Sequence, residues 1–160
     1  MMAQAREKWD KMVRREAGFS LLGLVASVFS SEPAQPLKAE FVVSDASNLT
    51  ARFGEQAFDT VVDTFGVCSF HDPVEVLREL SRVCKPEGKI LLLEHGIGSY
   101  KWMQDYQEQS LPKHVATWGC FFNRDIEKIV RQAGLKVESI SRHHLGTTYV
   151  IIASPPAHTP

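Results

Sequence analysis

Two short apolar runs joined by an amphipathic stretch constrain this chain more than any other feature. Phe58-Asp59-Thr60-Val61-Val62 ends at Asp63-Thr64, and Ile90-Leu91-Leu92-Leu93 ends at Glu94-His95-Gly96. Between them Val76, Leu77, Leu80 and Val83 recur at helical spacing, Asp72 is placed to cap and Pro73 stands at the first helical position. Pro86-Glu87-Gly88 is then expected to stop the helix and turn the chain. Short continuous apolar runs suit strands buried on both faces, and strand, helix, strand with tight turns is the crossover from which parallel sheets are built. An α/β fold with helices covering a parallel sheet is therefore expected. Phe41-Val42-Val43, ending in Ser44-Asp45, repeats the strand design ahead of this unit.

The carboxyl-terminal third changes the pattern. Asn123 to Ala133 carries Ile126, Ile129 and Val130 on one face, with Asn123 as a candidate cap and Gly134 as the stop. Leu135 to Arg142 alternates apolar and polar residues, and after His143-His144-Leu145-Gly146 a second β-rich run spans Thr147 to Ala153. A hairpin follows, which sets one antiparallel strand on an otherwise parallel sheet. Pro155 to Pro160 reads as a frayed tail.

The first 37 residues differ from the rest. Arg6, Lys8, Lys11, Arg14 and Arg15 mix with Glu7, Asp10 and Glu16 around Trp9, Met12 and Val13, as in a short amphipathic helix. Ala17 to Phe29 is an apolar run of 13 residues, below the ~20 needed to cross a bilayer. Its acidic neighbours argue against a secretory or mitochondrial leader. A helix packed on the domain and a membrane-associated segment over residues 1–29 both remain open. The expected organisation is an amphipathic and apolar segment with linker (1–37), a domain (38–154) and a tail (155–160).

Charge and cysteine content narrow the function classes. With 18 Lys+Arg against 19 Asp+Glu, the net charge of -1 gives no bulk attraction for nucleic acid, and no nucleic-acid partner is expected. Cys68, Cys84 and Cys120 are odd in number and lack CxxC spacing, so neither a disulfide framework nor a metal site is predicted. A reducing, intracellular compartment is expected, cytoplasmic or mitochondrial.

The stretch from Phe41 to Gly96 resembles the second half of a class I S-adenosylmethionine-dependent methyltransferase. The acidic-small pair Asp45-Ala46, the Phe58-Asp59 to Phe65-Gly66 segment and Cys84-Lys85-Pro86-Glu87-Gly88 carry the likeness, which extends from roughly residue 40 to 153. Glu94-His95-Gly96, Trp102, Leu111-Pro112, Gly119-Cys120 and Arg124 resemble the methyltransferase-like branch that acts on small thiols or lipids, with its mitochondrial membrane-associated relatives. Thr64 to Gly66 also resembles the quinone-ring C-methyltransferases. The resemblance implies a partial Rossmann-like sheet, S-adenosyl-L-methionine as cofactor and a small-molecule or lipid-like acceptor.

It also implies a site at the carboxyl ends of the strands. Asp45 and Ala46 would meet the adenine, and Asp63, Thr64 and Phe65 the methionine part, where an aromatic wall suits a sulfonium. His95 is the candidate catalytic residue, to orient an acceptor or deprotonate a thiol. Glu94 and Trp118 are candidate acceptor contacts. Plainer readings stand beside these: Asp45 as a turn residue, His95 as a structural strand end, His71 as a loop residue, His143-His144 as a hairpin turn, Cys120 and the Trp118-Phe121-Phe122 cluster as packing. The family's glycine-rich loop and the acid that holds the ribose are not found before residue 40, where the glycines are Gly18 and Gly23. The first two strands are thus expected to be missing and activity impaired. The alternative is a non-catalytic remnant that serves as a protein-interaction module and self-associates.

Overall fold

The Asp72-Pro73 start and the apolar stripe behind it form the helix that the sequence predicts. In the computed structural model, which describes residues 7–8 and 38–156, Asp72 Oδ1 accepts from the Glu75 amide at 3.0 Å and opens α2 (Pro73–Val83). Ahead of it lie a short 3-10 turn (Ala46–Asn48), α1 (Thr50–Phe53) and β1 (Phe58–Thr64). After it come β2 (Cys84–His95), α3 (Lys101–Trp118), α4 (Ile126–Gln132), β3 (Lys136–His143) and β4 (Thr148–Ser154). The chain divides into two units, Met1–Val43 and Ser44–Pro160, and in the first Glu7 and Lys8 are helical. The remaining expectations for residues 1–37, membrane contact included, lie outside the described residues.

The sheet order is β1-β2-β4-β3. β1 and β2 are parallel, and β4 runs antiparallel to both of its neighbours, so the single reversed strand is where the hairpin reading put it. Phe58 faces Cys84 while Thr60 faces Lys89, and the Lys85-Pro86-Glu87-Gly88 segment bulges between them. The helix has already ended at Val83, so this segment shapes a strand edge and does not stop the helix.

One face of the sheet makes the core. Ile90 and Leu92 of β2 and Tyr149, Ile151 and Ala153 of β4 pack against Val76, Leu77 and Leu80 of α2 and Ile126 and Val130 of α4. Burying each such large side chain stabilises the fold by about 1.5–3 kcal/mol. The opposite face leaves Val62, Val150 and Ile152 exposed. Burial on both faces, expected from the apolar runs, is therefore not found: α2 and α4 both pack on the same side, and β1 is mostly exposed. Phe41–Val43 forms no strand, and Val43 is 81% exposed.

The 18-residue helix α3 has no sequence signal, because its apolar residues do not gather on one face and Pro112 lies within it. Its single buried residue is Gln107. That side chain accepts from the Gly98 amide at 2.8 Å and donates to the carbonyls of Gly96 at 3.0 Å and Phe122 at 2.7 Å. A polar pin thus does for α3 what an apolar stripe does for α2. Helix α4 is capped by Asp125, whose Oδ1 accepts from the Lys128 amide at 3.0 Å. Asn123, expected as that cap, instead donates to Glu108 at 2.9 Å and ties the approach to α4 onto α3.

Gln107→Leu keeps the volume and orphans a buried amide and two carbonyls. It is expected to lower stability by about 1–3 kcal/mol, read as a reduced denaturation midpoint; an unchanged midpoint would show that α3 is held by other contacts.

Candidate functional site

Because β1 and β2 are parallel, their carboxyl ends emerge on the same edge, with Thr64 opposite Leu93. The Phe65 amide donates to the Leu93 carbonyl at 2.8 Å, and Phe65 then adopts the left-handed backbone at φ 57°. A bulky residue there is strained. Its ring, 42% exposed, stacks on the His95 imidazole with centroids 4.3 Å apart. Gly66 follows where a Cβ would lie 2.3 Å from Asp63 Oδ1, so this position has no room for a side chain. The chain closes a turn in which the Ser69 and Phe70 amides donate to the Gly66 carbonyl.

Two carboxyl groups hold this turn from beneath. Asp63 Oδ2 accepts from the Val67 amide at 3.0 Å. Glu94, fully buried, accepts from the amides of Gly66 at 3.2 Å and Cys68 at 3.1 Å. Burial, followed by the neighbouring Asp63 carboxylate, pushes the Glu94 carboxyl up to about 8. At neutral pH Glu94 is therefore protonated, and its side chain hydrogen-bonds to Asp63. Glu94, expected as an acceptor contact, is buried and spent on backbone amides, while Asp63, expected at the cofactor, is half-buried with one oxygen on the Val67 amide.

The outer side of the turn opens on a cavity of about 300 Å³ lined by Phe65, Cys68, Ser69, His95, His114, Trp118 and Cys120. Cys120 arrives just after α3, where Gly119 in the left-handed conformation (φ 68°) ends the helix. The Phe121 amide donates to the Cys68 carbonyl at 2.8 Å and sets Cys120 Sγ 3.1 Å from Cys68 Sγ and 3.7 Å from His95 Nδ1. Arg124 donates to the carbonyls of Val67 and Phe70, with its guanidinium 4.4 Å from the centre of the Phe121 ring. Burial, then the nearby His114, lowers the His95 pKa, so the imidazole is neutral at pH 7. Burial and the Cys120 hydrogen bond push the Cys68 thiol up to about 12.

The structure therefore gathers Phe65, His95 and Trp118 around one cavity, with Thr64 exposed beside it. Asp45 sits apart in role: its Oδ1 accepts from the amide and hydroxyl of Ser47 and caps the turn that begins at Ala46. His143 and His144 lie at the hairpin bend, with His144 Nδ1 3.0 Å from Thr148 Oγ1. The Cys68–His95–Cys120 cluster was not legible, because three residues on three separate elements share no motif spacing. Only the topology brings them together.

The described residues fit part of an S-adenosylmethionine site. An exposed aromatic face and a hydroxyl at a strand end suit the sulfonium and its methionine arm, while Glu94, buried and engaged by two amides, is unavailable to it.

Comparisons with known proteins agree with this geometry. A family model described as a methyltransferase domain matches residues 5–140. The mitochondrial methyltransferase OMS1 of Saccharomyces cerevisiae is 36% identical over 128 residues, covering 72% of this chain and 27% of the relative. The human thiol S-methyltransferase TMT1B is 30% identical over 98 residues, covering 58% of this chain and 38% of the relative. A solved S-adenosylmethionine-dependent methyltransferase from Methanosarcina mazei matches with a TM-score of 0.60 at 20% identity, over 83% of this chain and 76% of that one. The chain spans about a quarter of the length of the yeast relative.

The carboxyl pair has a pH signature. A carboxyl whose pKa rises from 4.5 to about 8 on folding adds stability that is complete below its ordinary range and is lost as pH rises through 8. Wild-type melting temperature is thus expected to fall between about pH 5 and about pH 9. Glu94→Gln cannot titrate, so its melting curve should be flatter over that range, at a cost of about 1–3 kcal/mol near neutrality for the amide acceptor it loses. Parallel pH profiles for the two proteins would contradict the assignment.

Proposed function

Because the chain belongs to the class I S-adenosylmethionine-dependent methyltransferase family, we propose that it takes part in methyl transfer to a small, soft or apolar acceptor seated in the Phe65–His95–Trp118 cavity. The observation that carries this reading is the position of the cavity, at the carboxyl ends of two parallel strands and against the Thr64–Phe65 turn. S-adenosylmethionine, when bound, supplies an electrophilic methyl group on a sulfonium. Thr64 and Phe65 would hold its methionine end, and Asp45 and Ala46 would meet the adenine. Methyl transfer is an in-line displacement that depends on alignment, so a rigid turn matters more than a strong base. His95 orients the acceptor from the cavity wall, its ring fixed by the stack with Phe65. Trp118, 73% exposed, offers an apolar lid.

The relatives support acceptors of this class. One is named a thiol S-methyltransferase, another a phosphatidylethanolamine N-methyltransferase, and others are demethylmenaquinone or ubiquinone methyltransferases. The yeast relative's name supports a mitochondrial setting. Among the described residues no helix is long and apolar enough to cross a membrane.

A second reading, a partner-binding module without catalysis, draws support from the exposed Val62, Val150 and Ile152 on one sheet face. It expects self-association and no cofactor binding.

Titration calorimetry separates the two. The proposal expects saturable S-adenosylmethionine binding by a monomer, weakened about tenfold in Phe65→Ala, the order of one lost cation–π contact. No heat at millimolar cofactor would sink it for this chain. With a thiol acceptor and labelled cofactor, His95→Ala is expected to lose about 10²-fold or more in turnover while still binding cofactor, as loss of alignment requires; wild-type turnover in that variant would remove His95 from the site.

A further inference from the structure

We propose that Cys68, His95 and Cys120 form a binding site for a zinc-class divalent cation, with two thiolates and one imidazole as ligands and a fourth position open to the cavity. Cys68 Sγ, Cys120 Sγ and a ring nitrogen of His95 all lie within 4.8 Å of one another. His95 Nδ1 is the nitrogen near Cys120, at 3.7 Å. Soft sulfur and imidazole donors of this kind select zinc and its neighbours over magnesium or calcium.

Three further observations favour a cation here over a packed pair of thiols. First, the spacing is close to what a tetrahedral ion requires. Zinc–sulfur bonds of about 2.3 Å set two thiolates about 3.8 Å apart and a thiolate and imidazole about 3.6 Å apart. The Cys120 sulfur to His95 nitrogen distance already matches, the Cys68 sulfur lies within 4.8 Å of the ring nitrogen, and the two sulfurs, at 3.1 Å, would rotate apart around an ion. Second, two thiolates and a divalent ion sum to zero charge. The filled site therefore buries no net charge. Third, the ligands are held by their surroundings. Glu94 fixes the Cys68 amide, the Phe121 amide fixes the Cys68 carbonyl, and Phe65 stacks on the His95 ring. Outer contacts of this kind orient metal ligands.

Three protein ligands with an unfilled fourth position are the arrangement of a reactive zinc, whereas closed four-ligand sites are structural. The open position faces the cavity lined by Ser69, His114 and Trp118. Its fourth ligand is water or the sulfur of a small thiol.

The test uses the full chain, reduced and stripped with a chelator, then titrated with zinc against a chromogenic competitor and separately with cobalt. One equivalent of zinc is expected to bind, and the cobalt form is expected to show thiolate-to-metal charge-transfer absorption with the d–d bands of a tetrahedral site. Cys68→Ser and Cys120→Ser should each weaken zinc binding by about 100-fold or more, beyond what loss of an outer contact costs. Cys84→Ser is the control. Cys84 is also buried, but its Sγ faces the Lys89 carbonyl at 3.7 Å and lies outside the cluster, so binding should match wild type. Because the cobalt spectrum is read on the unmodified protein, a misfolded variant leaves the test intact. No uptake of either metal by the reduced chain would overturn the proposal. So would a cobalt spectrum without thiolate bands, or equal zinc affinity in all three variants.

Discussion

The turn after β1 depends on a carboxyl group that never reaches solvent. Glu94 stands at the end of a central strand, buried, and its two oxygens take the amides of Gly66 and Cys68. Without it, the Gly66 and Cys68 amides would be left unpaired, a cost of about 1–3 kcal/mol for a buried donor. Asp63 completes the clamp from β1 and hydrogen-bonds to the protonated Glu94. Everything the site offers is arranged on this turn. Phe65 is thrown outward in a strained conformation, Cys68 is set beside Cys120, and His95, the residue after Glu94, is stacked under Phe65. Strain at Phe65 is held by a rigid support, as functional turns require.

Much of the fold was legible because local chemistry and global packing agree. The α2 stripe, its Asp72 cap, the β2 run and the closing hairpin each read correctly from periodicity and turn residues. Where reading failed, the structure was decided by partners distant in sequence. Phe41–Val43 has the composition of a strand and is not one. Helix α3 has no apolar face to detect, since its one buried residue is an amide. Between Asn123 and Asp125 as caps for α4, the choice follows from Ile126, the first residue the core needs to bury.

The site was half legible for a related reason. Strand ends in a parallel sheet converge, so Thr64, Phe65 and His95 could be placed at one edge before any coordinates. Their roles depend on which way each side chain turns. An acidic residue at a strand end reads equally as a ligand-binding group or as an internal clamp; burial decides for the clamp at Glu94, and the Val67 amide engages half-buried Asp63. Cys68 and Cys120, 52 residues apart, carry no spacing motif, and their meeting with His95 is a property of the tertiary fold. The family membership shown by the comparisons agrees with the sheet edge as the place of chemistry, while the cysteine pair gives this edge a sulfur-rich character that the strand pattern alone does not imply.

Glu94, buried beneath the turn, and Asp63 beside it make Phe65–Ser69 a rigid platform. Amide hydrogen exchange in the free protein near neutral pH tests it most directly. The Gly66 and Cys68 amides are predicted to exchange as slowly as the core amides of β2, opening only with the domain as a whole. Exchange as fast as that of the exposed His144–Leu145 bend would show that the clamp does not hold, and would contradict the account.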